Sequence, residues 1–168
     1  MSTGEEVEKA KHAIGKLSTA GEGKMLVQSG KRPFLKNTIL AGLSSQSLTA
    51  IAPFLEPVVL RDRLVLQEPK RPVDQIYFVE SGIVSLRTIA AGSFLEIAMV
   101  GYRGVTGVSC LLGENLPTHQ SIVLLSGRAL RIHADDLRRI IADQLEIRHR
   151  LLRYVQALIV HGVRPCRE

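Results

Sequence analysis

The sequence predicts a mainly β protein, an antiparallel β-sandwich or β-roll with flanking helices and a long C-terminal helix. Between residues 58 and 132, apolar side chains recur at every second position, which is the period of a β-strand. Clusters of Gly, Pro and Ser divide this region into short strands, a pattern typical of antiparallel folds and not of alternating βαβ units. On both sides of the region the apolar period changes to 3.6 residues, which predicts helices.

The N-terminal part of the chain divides at Asn37. Residues 1–36 contain scattered glycines and no sustained apolar stripe, so we expect a flexible tail there. After Asn37, Leu48 and Ile51 follow Ser44 at helical spacing, and two prolines close the segment. This pattern predicts two short helices before the first strand.

Turn-forming residues define the expected strand ends. Ser81–Gly82 and Gly101–Gly104 are expected to separate strands. Ser126–Gly127 is expected to form a two-residue hairpin turn between strands at 121–125 and 128–132, because Gly can supply a positive φ.

After His133 the sequence predicts two helices over about 134–162, followed by a short tail at 164–168. Ala134 or Asp135 is expected to cap the first of these helices. The second carries a broad apolar stripe, which could seat a partner helix or could pack only on the sheet. We expect it to form a dimer interface made of Leu151, Leu152, Val155, Leu158 and Ile159.

The composition limits the classes of function. The 168 residues carry a net charge of +6, but the basic residues form no dense stripe, so direct contact with nucleic acid is not expected. Cys110 and Cys166 are too few and too far apart for a disulfide framework or a zinc cluster. Neither a secretory signal nor an apolar run of about 20 residues is present, so we expect a cytoplasmic protein that does not contact a membrane.

Three strings, taken in order, resemble the effector domain of the Crp/Fnr family of bacterial transcription regulators, which has a cyclic-nucleotide-binding-like fold. The strings are DQIYFVESGIVSLRT at 74–88, LEIAMVGYRGVTGVSCLLG at 95–113 and ALRIHADDLRRI at 129–140. The resemblance covers residues 37–163. It implies a double-stranded jelly roll at about 58–132, dimerisation helices at about 134–162 and a regulatory role without enzymatic activity.

The resemblance also places a ligand pocket. In family members that bind cyclic nucleotides, a Gly-Glu loop and a following Arg hold the ribose and the phosphate. The loop position here is Gly107, Val108, Ser109 and Cys110, and the Arg position falls at His119, Gln120 and Ser121. Because both charged anchors are missing, we expect a degenerate pocket, no bound cofactor and weak or absent cyclic-nucleotide binding. Arg103 lies nearby in the sequence and could substitute for the missing guanidinium.

The family continues past the long helix into a winged helix-turn-helix, whereas this chain ends at HGVRPCRE. We therefore expect a sensor domain that acts on DNA only indirectly, as a homodimer or as a heterodimer with a related regulator, in response to an unknown small-molecule effector. One alternative is a stand-alone interaction module that captures full-length regulators in mixed dimers. A remote alternative is a cupin-like enzyme, although the sequence has no His-x-His pair and predicts neither catalytic residues nor metal ligands.

Overall fold

The computed structural model describes residues 35–90, 92–113 and 116–162, with side chains as far as Val160. The predicted tails at 1–36 and 164–168 lie almost wholly outside these residues. The helices are α1 Thr38–Ala41, α2 Ser45–Ile51, α3 Ala134–Asp143 and α4 Leu145–Gly162, with 3-10 turns at Ala52–Phe54 and Val108–Leu111. The strands are β1 Glu56–Leu60, β2 Val65–Gln67, β3 Gln75–Ala90, β4 Ser93–Val100, β5 Val105–Thr106 and β6 Gln120–His133.

The six strands form one antiparallel sheet that folds into a roll. Its main path runs β1-β6-β3-β4, while β2 pairs with β6 and β5 pairs with β3. Helices flank the strands at both ends of the chain, which confirms the predicted fold class. No helix in the described part of the chain is long and apolar enough to cross a membrane.

Two strands are longer than the sequence predicts. Strand β3 continues through Ser81–Gly82 and β6 continues through Ser126–Gly127, so the expected hairpin turn at the second pair is wrong. The pairing register of β3 and β6 shifts between Val79 and Val84, so both Ser-Gly pairs lie at irregularities in continuous strands.

Folded structure includes Leu35, two residues before the predicted boundary, because this side chain packs against the core. Asn37 is fully buried and fixes the first helix. Its Oδ1 accepts hydrogen bonds from the backbone amides of Ile39 and Leu40, and its Nδ2 donates to the carbonyls of Val79 and Gly104, both at 2.8 Å. One side chain therefore joins α1 to the roll.

The prediction of the α3 cap is also corrected. His133 occupies the N-cap position and makes no side-chain capping bond, whereas Ala134 and Asp135 are already helical. Asp135 lies in the first turn, where a carboxylate suits the helix dipole, and it forms an ion pair with Arg138 at 2.7 Å. The helix therefore begins without a capping hydroxyl or carboxylate at the N-cap position.

The apolar core has two parts. The first joins helices to strands and includes Phe78, Ile132, Leu137 and Ile147, all essentially inaccessible to solvent. The second is formed by strand residues alone: Leu60, Val79, Val84, Leu86, Val100, Val123 and Ala129. Between the second cluster and α4, the packing leaves an open space.

Candidate functional site

A cavity of about 350 Å³, here called the helix cavity, lies between the roll, the second 3-10 turn and α4. Its walls are almost entirely apolar. They comprise Leu86, Ile97, Ala98, Val108, Ser109, Leu112, His119, Val155, Leu158 and Ile159. A concave, mostly apolar site with a few polar groups is the usual form of a small-molecule pocket.

The loop before the 3-10 turn positions one wall of this cavity. Gly107 has φ +84, and a Cβ there would lie 2.7 Å from the carbonyl oxygen of Gln75, so only glycine fits. The chain then turns so that Val108 and Ser109 line the cavity. Cys110 instead packs in the core between the helices and the sheet, where burial raises the pKa of its thiol.

His119 supplies the polar corner of the helix cavity. Burial lowers the pKa of its imidazole, so the ring is neutral at pH 7. The Gln67 amide nitrogen lies 3.3 Å from His119 Nε2; because an amide nitrogen can only donate, Nε2 accepts this hydrogen bond. The position at which a family member would offer a cation thus offers an uncharged ring.

Three buried oxygens near this corner have no hydrogen-bond partner among the described residues. They are Gln67 Oε1 and the hydroxyls of Ser109 and Ser121. Ser121 is fully buried and pairs in register with Gln67 on one side and Leu86 on the other. Of the three residues, only Ser109 lines the helix cavity. Since buried polar atoms are normally hydrogen-bonded, its hydroxyl is available to a bound molecule that carries a hydroxyl, amide or carbonyl group.

The other expected anchor positions do not line the helix cavity. Gln120 accepts a hydrogen bond from Arg87 Nε at 2.7 Å and donates to Glu68 Oε2 at 2.9 Å, away from the cavity. Arg103 is exposed, with its guanidinium carbon 5.7 Å from the centre of the Tyr102 ring. The expectation that Arg103 could replace the missing guanidinium is therefore corrected, and no Lys or Arg is among the described residues of the wall.

Helix α4 divides its apolar stripe between two faces. Leu151 and Val155 are buried against their own domain, with Val155 only 6% exposed. Leu152 and Ile159 are 37% and 60% exposed, and Leu158 is half-buried at the cavity. Packing on the roll therefore explains Leu151 and Val155, which corrects their placement in a dimer seam, while the exposed half of the stripe has no described neighbour that covers it.

No family model and no curated protein matches the sequence. Among solved structures, the chain is similar to the N-terminal domain of a transcriptional regulator from Streptomyces coelicolor A3(2), with 23% identity over 77% of this chain and 94% of that one and a TM-score of 0.57. It is similar to a cyclic nucleotide-binding domain from Methylobacillus flagellatus, with 14% identity over 75% of each chain and a TM-score of 0.60. It also resembles the Thermus thermophilus catabolite activator protein, with 17% identity, coverage of 74% and 59%, and a TM-score of 0.62.

The fold is that of the cyclic-nucleotide-binding jelly roll. Four residues of the cavity wall were not predicted from the sequence: Leu86, Ile97 and Ala98 come from distant strands, and Leu112 follows the predicted loop. Gln67, which contacts His119, was also not predicted. Gln67 follows Val65 and Leu66 but precedes Glu68 and Pro69, so no local pattern distinguishes it from a polar residue at a strand end. The strand register that brings it to Ser121 is a tertiary feature.

Proposed function

We propose that this chain is the regulatory sensor domain of a Crp/Fnr-type transcription regulator, and that it is not an enzyme. In this proposal the helix cavity binds a small, uncharged and largely apolar effector in place of a cyclic nucleotide. The observation that carries the proposal is the composition of the cavity wall, which is apolar apart from Ser109 and a neutral His119.

The phosphate of a cyclic nucleotide would find no positively charged partner in the wall of this cavity. Charge-assisted hydrogen bonds contribute about 1.5–3 kcal/mol each, so the loss of two lowers the affinity by roughly 10² to 10⁴. An uncharged ligand avoids the cost of burying an unpaired charge and still finds hydrogen-bonding groups at Ser109 and His119. The same wall therefore disfavours the nucleotide and favours a neutral molecule.

Ligand occupancy would act on α4 directly. Val155, Leu158 and Ile159 belong to that helix and line the cavity, so a ligand that fills it favours one position of the helix relative to the roll. The exposed half of the helix, with Leu152 and Ile159, would contact a second copy or a related regulator.

Isothermal titration calorimetry of the full chain tests the ligand class, with cyclic AMP, cyclic GMP and indole as an uncharged apolar probe. We expect saturable binding of indole and Kd values above about 100 μM for both nucleotides. Ala98→Phe should fill the cavity and abolish indole binding, while Leu124→Phe, an exposed position outside the wall, should not. A low-micromolar Kd for either nucleotide, or indole binding unchanged by Ala98→Phe, overturns the proposal.

The alternative of a stand-alone interaction module is favoured by one observation, the exposed apolar side chains of β4. Phe94, Leu95 and Met99 are each more than half exposed, and β4 lies beside α4. Large apolar side chains that remain exposed on a strand are candidates for an interface. Sedimentation of the purified chain distinguishes the two hypotheses. A dimer at micromolar concentration supports the homodimeric sensor, whereas a stable monomer supports the module that pairs with another regulator.

A further inference from the structure

A second cavity of about 470 Å³, here called the outer cavity, lies at the C-terminal end of β3, next to the helix cavity. Leu86 lines the helix cavity, whereas Arg87, Thr88 and Ile89, which follow it in the strand, line the outer one. Lys70, Phe94, Thr118 and Gln120 lie around the same space. We propose that the outer cavity binds a small organic anion with an apolar body, of the class of aromatic carboxylates.

Arg87 is held in place from two directions. Its Nε donates to Gln120 Oε1 at 2.7 Å, and its guanidinium carbon lies 3.9 Å from the centre of the Phe94 ring. Gln120 is in turn fixed by its bond to Glu68. The terminal nitrogens of Arg87 make no hydrogen bond to a described residue, so a pre-oriented fork of donors remains for a carboxylate.

Lys70 brings a second positive charge to the cavity. Neither Lys70 nor Arg87 forms an ion pair with a carboxylate in the described part of the chain. The backbone of Lys70 has φ +58, which lysine seldom adopts, and its amide donates to the carbonyl of Pro117 at 2.8 Å. A strained backbone conformation persists only where the surrounding structure fixes it. Here the hydrogen bond to Pro117 holds the loop of Lys70 at the rim of the cavity.

The remaining wall determines the ligand class. Thr88 and Thr118 contribute hydroxyl groups, joined by a hydrogen bond from Thr88 Oγ1 to the Thr118 carbonyl. Ile89 and Phe94 are largely exposed apolar side chains that a hydrophobic ligand body would cover. An inorganic anion would use the cations and leave these side chains in water, so a carboxylate attached to an aromatic ring fits the whole wall.

The outer cavity is joined to the helix cavity through the start of β6. Gln120, which holds Arg87, directly follows His119 in the sequence, and His119 lines the helix cavity. An anion that draws on Arg87 would therefore act on the segment that carries His119. This link rests on the proposed function, whereas binding in the outer cavity does not.

A titration of the full chain followed by ¹H–¹⁵N correlation spectra tests the site, with benzoate, its uncharged isostere benzamide and inorganic phosphate as probes. We expect saturable shifts from benzoate at Lys70, Arg87, Phe94 and Gln120, weaker effects from phosphate and none from benzamide. Added salt should weaken the binding of benzoate. Shifts confined to other residues, equal binding of benzamide, or phosphate binding as tight as benzoate overturns the proposal.

Matched variants separate a site from a general effect of charge. Arg87→Met should raise the Kd for benzoate about tenfold or more, and Arg87→Lys should fall between it and the wild type. Lys70→Asn removes the second positive charge and should raise the Kd for benzoate several-fold. Asn is chosen because it tolerates the left-handed backbone conformation of this position. Arg63→Asn is the control, since Arg63 also has a positive φ of +60, is exposed and is not part of the cavity wall. Equal effects of Lys70→Asn and Arg63→Asn, with all variants folded by circular dichroism, would refute the site even if indole still binds in the helix cavity.

Discussion

Gly127 in β6 lies directly against the backbone of Ser81 in β3. A Cβ at position 127 would overlap the carbonyl group of Ser81 and the amide nitrogen of Gly82. The amide of the next residue, Arg128, donates to Ser81 Oγ at 3.0 Å. Glycine is therefore required at 127 by the close approach of two continuous strands and not by a hairpin turn.

Gly127→Ala should lower the free energy of unfolding by about 2–3 kcal/mol, because rigid backbone atoms must move to admit the methyl group. Gly101→Ala is the matched control, since its Cβ would meet only the Gly82 carbonyl oxygen at an ordinary 3.8 Å. That substitution should change the stability by less than about 1 kcal/mol. Urea unfolding measures both values, and equal losses would show that the strands separate easily at Ser81.

The Ser-Gly pairs show how far the sequence determines the strands. The period of two and the turn residues correctly predict a strand-rich roll between helices. They do not distinguish a turn from a bulge, because glycine suits both, and only the approach of β6 to Ser81 decides between them. The continuity of β6 through Ser126–Gly127 was for this reason beyond local prediction.

The candidate site was predictable to a smaller extent. The resemblance locates the loop at Val108 and Ser109, because the three sequence strings that resemble the family occur in the same order along this chain. It does not tell which of His119 and Gln120 faces the helix cavity, because that depends on the bond between Arg87 and Gln120. Periodicity likewise identifies the apolar stripe of α4 but not that Val155 belongs to its own domain.

The effect of an introduced arginine on the affinity for cyclic AMP should therefore depend on its position. His119→Arg should place a guanidinium in the helix cavity and raise the affinity for cyclic AMP by about tenfold or more, because a charge-assisted bond to the phosphate becomes available. Gln120→Arg should leave the affinity unchanged, since residue 120 points to the outer cavity. Calorimetric titration of the two variants checks this difference, and the reverse order of affinities would contradict the orientation of the two side chains.

Stability at acid pH should depend on Glu146. Hydrogen bonds from the hydroxyls of Ser44 and Ser47 and the amide of Ser44 lower the pKa of this carboxyl from 4.5 to about 2. Because the folded value is the lower one, the stabilisation is complete above about pH 4.5 and is lost as the pH falls towards 2.

Glu146→Gln should therefore lower the melting temperature at pH 7 and reduce the loss of stability between pH 5 and pH 2. The exposed Asp143→Asn, which removes one negative charge near the same helix, serves as the control. Melting curves across this range provide the measurement. A wild-type and a Glu146→Gln profile that run parallel from pH 7 to pH 2 would show that the serine hydrogen bonds do not stabilise the fold.

The two faces of α4 should respond differently to an introduced carboxylate. Ile159→Glu places a carboxylate on the exposed half of the stripe, so it should dissociate the proposed dimer while the thermal unfolding of the domain changes little. Val155→Glu places the same group where the side chain is 6% exposed, and it should lower the stability of the domain by about 3 kcal/mol or more because the charge loses its hydration.

Sedimentation at micromolar concentration and circular dichroism melts of both variants separate association from folding. An Ile159→Glu variant that remains dimeric would place the dimer interface elsewhere. A wild type that sediments as a monomer would contradict the homodimer and favour the module that pairs with another regulator. A Val155→Glu variant as stable as the wild type would mean that the helix turns this face away from the roll.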